Sequence, residues 1–301
     1  MAQEQSWPAR EPVTPAVGRD KRSGRFFLMH DSMVNDSYKS MLKGINASKR
    51  MGQNFLTNRE VARKEAMYAI GRNVVEIGPG LGILTEELCL VAKSVKAVEL
   101  DRRLYDMLKG RLTYRNIELV NGDFFELPES DFKGYEIMVS NIPYSASSRV
   151  ISWLGSHPMP AVLCLQKEFV DHMDASPGER SYSKLSVISH LFFSVRRMMD
   201  VKASEFYPVP EVDSVVIFLR PTGLRISPAA LSMLSLLMEH KKKKVRNAVI
   251  DSSKALGIGK AEASSFADTL DGKDERPVHL PPEGILGIAE QMASRLKAQK
   301  E

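Results

Sequence analysis

The chain is poor in the residues that build disulfide frameworks and thiolate metal sites. Its 301 residues include 2 cysteines, Cys89 and Cys164, which lie in apolar surroundings far apart in sequence. Two cysteines support neither a disulfide framework nor a cysteine-based metal site, so a reducing, cytoplasmic location is expected. The 6 histidines show no metal-ligand spacing, and no metal site is expected.

Long apolar runs are also missing from the chain. No stretch approaches the ~18 apolar residues of a membrane-spanning helix, and no signal peptide is visible, so no membrane partner is expected. The composition is instead ordinary for a globular protein, with 43% apolar and 26% charged residues. The formal net charge of +5 favours a polyanionic partner, although short basic clusters carry much of that excess.

The chain changes character twice along its length. Residues 1–38 are rich in Pro, Ser, Gln, Asp and Arg without a sustained apolar period, which predicts a disordered tail. Over residues 39–222, apolar strand patterns alternate with helical ones, which predicts right-handed βαβ units and an α/β fold with a mostly parallel sheet. The strands that open this alternation are predicted at residues 73–77, 95–100, 117–121, 136–140 and 161–166.

The last third of the chain has a different pattern. Two strand patterns near residues 195–201 and 215–219 could form an antiparallel edge of the sheet. From residue 223 to 301 only helical patterns appear, which predicts a small C-terminal all-helical domain. Its helices are predicted at residues 228–250, 260–270 and 283–298.

A glycine-rich loop follows the first strand of the alternation. The segment Glu-Ile-Gly-Pro-Gly-Leu-Gly includes Gly78 and Gly80 and opens a helix, so a ligand can approach the backbone closely. Glu99 ends the second strand, where a carboxylate can accept hydrogen bonds from both hydroxyls of a ribose. Asp123 follows the third strand and is placed to accept a hydrogen bond from an adenine amine.

The spacing of these glycines separates two classes of nucleotide-binding protein. A nicotinamide dehydrogenase would need glycine at position 83, where this chain has Ile83. The spacing Glu-x-Gly-x-Gly-x-Gly fits a nucleoside without a pyrophosphate, namely S-adenosylmethionine. Together with Glu99 and Asp123, it predicts the Rossmann-like fold of class I S-adenosylmethionine-dependent methyltransferases.

A second loop, Asn141–Tyr144, follows the predicted strand at residues 136–140. The carboxyl edge of a parallel sheet is where ligands bind in open α/β folds. If the Asn141 side-chain oxygen and the Ile142 carbonyl accept the two N–H bonds of an adenine amine, the nitrogen is driven towards a tetrahedral geometry. Its lone pair can then attack a sulfonium methyl group, while Tyr144 stacks on the ring. A simple Pro-Tyr turn explains the same four residues, and this loop alone does not decide between the two.

An ordered set of motifs resembles the KsgA/Dim family of small-subunit ribosomal RNA adenine dimethyltransferases, in its archaeal and eukaryotic branch. The likeness runs from about residue 46 to 298. Its motifs, in chain order, are KRMGQNFL from Lys49, EIGPGLGILT from Glu76, VELD from Val98, GD at Gly122, NIPYSASS from Asn141, QKEF from Gln166 and FYPVPEVDSVV from Phe206. The Ser-Ala-Ser-Ser after Tyr144 indicates the archaeal side of that branch.

The resemblance implies an activity and roles for individual residues. It implies N6,N6-dimethylation of two adjacent adenosines in a hairpin near the 3′ end of small-subunit rRNA, by a monomer, during ribosome biogenesis. S-adenosylmethionine would be the methyl donor and S-adenosylhomocysteine the product. Asn54 and Leu56 would help to close the cofactor site, and Gly78 would line it. Asn141 would contact the cofactor and activate the target amine, and Phe206 would stack on the base opposite Tyr144.

Basic residues occur in two clusters. One includes Lys49 and Arg50 near the expected entrance of the active site, and the other comprises Lys241, Lys242, Lys243, Lys244 and Arg246. Runs of charge are often no more than solvated surface, but beside a base-methylating site contacts with RNA phosphates are the better interpretation. The expected partners are therefore small-subunit rRNA and the immature small ribosomal subunit.

Three other functions remain as alternatives. The first is a related methyltransferase that modifies large-subunit rRNA and confers macrolide resistance, which the lysine-rich helical region and the NIPYSASS match disfavour. The second is a ribosome assembly factor that has lost catalysis, although Glu99, Asp123 and Asn141 are all present. The third is a protein glutamine methyltransferase, whose Asn-Pro-Pro-Tyr loop differs from the loop here by Ile142.

Overall fold

The fold is described from a computed structural model, which covers residues 52–298 of the chain. The predicted disordered tail at residues 1–38 lies outside the described residues, as do Lys49 and Arg50. No helix in the described part is both long enough and apolar enough to cross a membrane.

Strands and helices alternate along most of the described chain. The strands are β1 (Phe55–Leu56), β2 (Asn73–Ile77), β3 (Ser94–Glu99), β4 (Ile117–Asn121), β5 (Ile137–Asn141), β6 (Ala161–Gln166), β7 (Phe193–Val201), β8 (Phe206–Tyr207) and β9 (Ser214–Pro221). The helices are α1 (Arg59–Ala66), α2 (Ile83–Val91), α3 (Arg102–Arg111), α4 (Ser147–Ser156), α5 (Lys167–Asp174), α6 (Lys184–Phe192), α7 (Pro228–Glu239), α8 (Val245–Asp251), α9 (Ser253–Leu256), α10 (Lys260–Ala267) and α11 (Pro282–Ala298).

These elements fall into two compact units. The first unit comprises the chain up to Pro143 together with Lys202–Glu211, and the second comprises Tyr144–Val201 together with the chain from Val212 onwards. The predicted division at residue 222, between a methyltransferase domain and a helical domain, remains a prediction.

The first unit contains four parallel strands in the order β4-β3-β2-β5. Every residue of β2 after Asn73 is buried, as are the first four residues of β5. Such continuous burial is typical of parallel strands that are covered on both faces. β4 lies at the edge of this set and is only half-buried. The predicted α/β fold with a mostly parallel sheet is confirmed.

The second unit combines three antiparallel strands with a helical core. β9 pairs with both β6 and β7 in antiparallel register, so the predicted antiparallel edge is confirmed. Buried side chains of α6, α7, α8 and α11 pack into one apolar core. Tyr182 lies within this core and is fully buried, and its hydroxyl donates a hydrogen bond to the carbonyl of Leu280 at 2.9 Å. The predicted C-terminal helical region is confirmed.

One of the predicted helices is wrong in extent. The pattern at residues 228–250 predicted a single helix, but α7 ends at Glu239 and α8 begins at Val245, with a turn between them. At the break the His240 N–H donates to the carbonyl of Leu237, three residues earlier, and the Val245 N–H donates to the carbonyl of Glu275, 2.8 Å away. A backbone partner from a distant segment therefore replaces the partner four residues earlier that a continuous helix would require.

The glycine that opens α2 supplies a test of the fold. Gly82 has φ +82°, and a Cβ there would lie 2.7 Å from Leu108 Cδ2 and 2.5 Å from Arg111 Nη2. We expect Gly82→Ala to lower the free energy of unfolding by at least about 1–2 kcal/mol, since a left-handed backbone disfavours alanine. Gly110→Ala is the control, because a Cβ at Gly110 meets no atom within 4 Å. At this helical position, Gly110→Ala should raise the free energy of unfolding by about 0.5–1 kcal/mol. Urea denaturation measures the free energy of unfolding of both variants. Equal changes for Gly82→Ala and Gly110→Ala would contradict this account.

Candidate active site

The glycine loop after β2 is held by backbone hydrogen bonds to the neighbouring strand. The Gly78 N–H donates to the carbonyl of Val98 at 2.9 Å. The Gly80 N–H donates to Glu99 Oε2 at 3.1 Å. Gly78 and Gly80 have φ of +63° and +58°, so the turn depends on glycine at both positions. The loop therefore packs closely against β3, with Gly78 partly exposed and Gly80 buried.

Glu99, the last residue of β3, is the centre of this arrangement. Its Oε2 accepts from Gly80, and its Oε1 accepts from the backbone N–H of Asp101 at 2.8 Å. The residue is only 4% exposed, and this burial raises the pKa of its carboxyl group. Glu99 thus holds the loop after β2 against the end of β3.

The loop that carries Asp123 is also tied to Glu99. The side-chain amide of Asn121 and the N–H of Gly122 both donate to the Glu99 carbonyl, at 2.8 and 3.0 Å. Asp123 Oδ1 then accepts from the Phe125 N–H at 2.9 Å and caps a short 3-10 turn. The structure therefore brings the loops of Gly80, Glu99 and Asp123 together at the carboxyl ends of β2, β3 and β4.

The segment before α1 contacts this glycine loop. A Cβ on Gly80 would lie 2.9 Å from the Phe55 ring, so the ring covers the loop directly. Gln53 Nε2 donates to Asp101 Oδ2 at 3.2 Å, while the Asn54 side chain makes a long contact of 3.5 Å with the Gly52 carbonyl. The predicted cofactor-closing segment therefore lies against the predicted cofactor loop.

Leu56 and Phe206 meet directly. β1 and β8 form a two-stranded antiparallel ribbon in which Leu56 pairs with Phe206. The Phe206 side chain is 4% exposed, whereas Tyr207 and Val209 after it are 41% and 65% exposed. Phe206 is thus a packed ring, and the exposed apolar surface of this segment belongs to the residues that follow it.

Asn141 ends β5 with a buried acceptor that has no partner. Its Oδ1 makes no hydrogen bond within the described residues. The next residue, Ile142, is 3% exposed, and the ring of Pro143 lies 3.5 Å from where a Cβ on Gly78 would be. The Asn-Ile-Pro segment therefore packs beside the glycine loop, inside the first unit.

Tyr144 begins the second unit. Its hydroxyl shares a hydrogen bond of 2.9 Å with Ser214 Oγ at the start of β9. The ring is half-buried, and this burial raises the pKa of the phenol. The hydroxyl is therefore held as a neutral hydrogen-bonding group at physiological pH.

Two buried glutamates lie in the first unit behind these loops. Glu65 is 1% exposed and Glu76 is 2% exposed, and desolvation raises the pKa of each carboxyl group to about 8. The Asn141 amide favours the charged form of Glu65, and Thr85 favours that of Glu76, but both effects are smaller than desolvation. The negative charges of Glu65 and Glu99 raise the pKa of Glu76 further.

The basic cluster of the second unit lies in the turn between α7 and α8 and in the first turn of α8. Lys241 Nζ donates to the carbonyl of Tyr182. Three other cations of the cluster form ion pairs with aspartates: Lys243 with Asp251 at 2.6 Å, Lys244 with Asp274 at 3.0 Å and Arg246 with Asp268 at 2.8 Å. The cluster is thus less positive than its sequence indicates, and exposed Lys242 contributes charge directly to the surface.

Glu65 and Gln53 were not predicted from the sequence. Glu65 could have been noticed because it shares the buried face of α1 with Ala62 and Ala66, where a carboxylate is unusual. Gln53 belongs to the KRMGQNFL motif, but its partner Asp101 lies 48 residues away. No local sequence pattern predicts that contact.

The raised pKa values of the buried glutamates predict how stability changes with pH. Each folded pKa of about 8 exceeds the ordinary value of 4.5. Between these values the folded state therefore binds more protons than the unfolded state, and stability falls as pH rises. A one-unit difference between folded and unfolded pKa corresponds to about 1.4 kcal/mol. A Glu65→Gln, Glu76→Gln double variant should gain stability relative to the parent chain as pH rises from 5 to 8. A constant difference in thermal unfolding across that range would contradict the assignment.

Comparison with known proteins places this geometry in a family. The family model for ribosomal RNA adenine dimethylase matches residues 44–272. A "Probable ribosomal RNA small subunit methyltransferase A" of Pyrococcus abyssi is 34% identical over 254 residues, covering 83% of this chain and 93% of the relative. A protein of Methanopyrus kandleri with the same description is 36% identical over 265 residues, covering 84% and 95%.

Solved structures agree with this assignment. A dimethyladenosine transferase from Plasmodium falciparum has a TM-score of 0.66 and 27% identity, covering 82% of this chain and 98% of its own. The 23S rRNA methyltransferase ErmE has a TM-score of 0.51 and 27% identity, covering 79% and 99%. The predicted resemblance, including its archaeal leaning, is confirmed. The chain belongs to the ribosomal RNA adenine dimethylase family.

Proposed function

We propose that this protein transfers methyl groups from S-adenosylmethionine to the N6 atoms of adenosines in small-subunit rRNA, giving N6,N6-dimethyladenosine during ribosome biogenesis. The targets are two adjacent adenosines in a hairpin near the 3′ end of that RNA. One structural observation carries the proposal. Asn141 Oδ1 is a buried acceptor without a partner among residues 52–298, at the end of the strand whose following loop packs beside Gly78.

An unpartnered acceptor is the group that this chemistry requires. The adenine N6 amine is a weak nucleophile because its lone pair is delocalised into the ring. Asn141 Oδ1 accepts one N6–H bond, and the Ile142 carbonyl accepts the other, so the nitrogen regains tetrahedral character. A buried oxygen without a hydrogen bond costs about 1–3 kcal/mol in the free protein. The incoming amine removes that cost on binding, so the acceptor is already oriented.

The cofactor is assigned to the cluster of loops around Glu99. Gly78 is partly exposed and leaves the backbone open to close approach, whereas Gly80 lies under the Phe55 ring. Glu99 accepts hydrogen bonds from the ribose hydroxyls, and Asp123 accepts one from the adenine amine of the cofactor. Asn54 and Leu56 close the site, and Asn141 contacts the cofactor as well as the target. When bound, S-adenosylmethionine would supply the electrophilic methyl group: the N6–carbon bond forms as the sulfur–methyl bond breaks, S-adenosylhomocysteine is left, and one N6 proton is released to solvent in each transfer.

The target base is assigned to aromatic side chains. Tyr144 stacks on the adenine, and its hydroxyl is anchored by Ser214. The resemblance assigns the second aromatic contact to Phe206, whose ring is buried in this structure and would have to be uncovered to reach the base. The base must leave its stack to reach Asn141, which costs least in a hairpin loop.

The RNA backbone is assigned to the basic residues. Lys49, Arg50, Lys241, Lys242, Lys243, Lys244 and Arg246 contact phosphates, which positions the RNA without reading its sequence. The protein acts as a monomer in the cytoplasm on the immature small subunit. Shape recognition of folded rRNA then selects the hairpin.

Asn141→Ala tests the catalytic assignment. With tritiated S-adenosylmethionine and immature small subunits, we expect turnover to fall by at least ~100-fold, the cost typical of removing one oriented catalytic hydrogen bond. The midpoint of thermal unfolding should not fall, because the deleted oxygen has no partner. Asn247→Ala, at an exposed position of α8, is the control.

Nucleoside analysis of the labelled RNA identifies the product of the same reaction. We expect label in N6,N6-dimethyladenosine of the small-subunit rRNA. Near-normal turnover by Asn141→Ala would contradict the mechanism. Radioactive label found only in large-subunit rRNA would instead show that the protein is a methyltransferase of the type that confers macrolide resistance.

The ion pairs of the basic turn predict unequal contributions to RNA binding. Lys242→Ala should reduce the slope of log affinity against log salt concentration by about 1. Lys243→Ala should reduce it less, because Asp251 already compensates that charge. Filter binding to an rRNA hairpin at several salt concentrations measures both slopes. Equal slopes for the two variants would contradict this assignment.

A further inference from the structure

Glu65 is a carboxylic acid on the buried face of a short amphipathic helix. In α1 the side chains of Ala62, Glu65 and Ala66 are buried, whereas Arg63 and Lys64 are exposed. Glu65 retains only 1% of its exposed surface. An apolar side chain of similar length would fit the same face without losing hydration.

The buried carboxyl group gains little from its surroundings. Neither of its oxygens has a hydrogen-bond partner of good geometry among the described residues. Burial is the dominant influence on its ionisation, and the opposing influence comes from the Asn141 amide. Burying a polar group without hydrogen bonds destabilises the folded state by a few kcal/mol. Stability therefore does not explain why a glutamate occupies this position.

The position of Glu65 points to Asn141 instead. α1 continues into the 3-10 turn Met67–Ala69, and that turn packs against β5. Asn141 is the last residue of β5, and its side-chain amide is close enough to the Glu65 carboxyl to lower the pKa of that group against the larger effect of burial. Both partners carry buried oxygens that lack hydrogen bonds: Oε1 and Oε2 of Glu65, and Oδ1 of Asn141.

We propose that Glu65 is a positioning residue that fixes the orientation of the Asn141 amide. Asn141 Nδ2–H donates to a Glu65 carboxyl oxygen, which leaves Oδ1 as the acceptor for the target amine. This inference rests on the proposed function of Asn141. The contact closes into a full hydrogen bond when the target engages Oδ1, as catalytic hydrogen bonds commonly tighten in the substrate complex.

The chemistry of an amide explains why such a partner is needed. Rotation of the Asn141 side-chain amide by a half turn exchanges an acceptor for a donor at nearly constant shape. An NH₂ group facing the adenine N6 amine would repel its hydrogens and could not draw out the lone pair. A fixed acceptor behind the amide excludes that orientation. Either protonation state of Glu65 keeps an acceptor oxygen.

The neighbouring ionisable groups do not replace Glu65 in this role. The charge of Glu65 raises the pKa of Glu76, and so does the charge of Glu99. All three of these groups are carboxyl groups. Glu99 holds the loops after β2 and β3 through the N–H groups of Gly80 and Asp101 and is the proposed ribose acceptor, so it belongs to the cofactor site. Glu65 is thus the carboxyl group whose ionisation the Asn141 amide affects.

Two substitutions at position 65 separate positioning from folding. Glu65→Met keeps the length of the side chain but removes the acceptor, whereas Glu65→Gln keeps an acceptor oxygen. Glu60→Met, at an exposed position of the same helix, is the matched control. Each variant is assayed in the full chain for kcat, for KM of S-adenosylmethionine and rRNA, and for thermal unfolding.

We expect Glu65→Met to lower kcat by roughly 10–100-fold, the effect typical of losing a group that orients a functional side chain. Both KM values should stay within about twofold, and the unfolding midpoint should not fall. Glu65→Gln should restore kcat to within about threefold of the parent chain. Glu60→Met should leave kcat unchanged.

Several results would overturn the inference. These are a normal kcat for Glu65→Met, an equal loss in Glu65→Met and Glu65→Gln, or a loss that follows a lowered unfolding midpoint. The same experiment separates this failure from failure of the proposed function. If the parent chain makes N6,N6-dimethyladenosine and Asn141→Ala does not, the proposed function is supported regardless of the kcat values of the Glu65 variants. If the parent chain makes none, both proposals fall.

Discussion

The hydrogen bonds of Glu99 organise the first unit of this protein. One carboxylate oxygen accepts from Gly80 in the loop after β2, and the other accepts from Asp101 after β3. The backbone carbonyl of the same residue accepts from Asn121 and Gly122 after β4. A single buried side chain and its peptide group therefore join three loops. Such charge-assisted hydrogen bonds to backbone N–H groups are stronger than neutral ones.

The region beside the neighbouring strands β2 and β5 differs from these loops in how its buried polar groups are hydrogen-bonded. There the carboxyl oxygens of Glu65 and Oδ1 of Asn141 have no hydrogen bond of good geometry in the part of the chain that the structure describes. In a low-dielectric interior, an unsatisfied polar group is costly and a newly formed hydrogen bond is strong. The first unit thus combines a rigid, satisfied set of loops with a small unsatisfied region beside it. This division suits an enzyme that holds a cofactor firmly and receives its target amine at a prepared acceptor.

Local patterns in the sequence were enough to predict the parallel strands, because apolar runs bounded by glycine and acidic residues recur from β2 to β5. The glycine loop, Glu99 and Asn141 were predicted for the same reason, since each occupies a fixed place at the end of a strand. The long helix predicted at residues 228–250 was wrong because the carbonyl of Glu275, remote in sequence, captures the Val245 N–H.

Interactions between distant residues account for what sequence reasoning missed. The aspartates that neutralise Lys244 and Arg246 follow them by 30 and 22 residues, so the lysine run appeared more basic than the folded turn is. The burial of Glu65 depends on packing between α1 and the elements behind it, which no helical pattern specifies.

The orientation and accessibility of the Asn141 side-chain oxygen are the centre of this account. The most direct measurement is a crystal structure of the protein with S-adenosylhomocysteine and an adenosine-containing rRNA hairpin. The account predicts Asn141 Oδ1 at about 2.7–3.2 Å from the N6 atom of a flipped adenine. It also predicts the Asn141 Nδ2 within the same distance of a Glu65 carboxyl oxygen. An adenine bound elsewhere, or an Asn141 amide whose NH₂ group faces N6, would contradict the account.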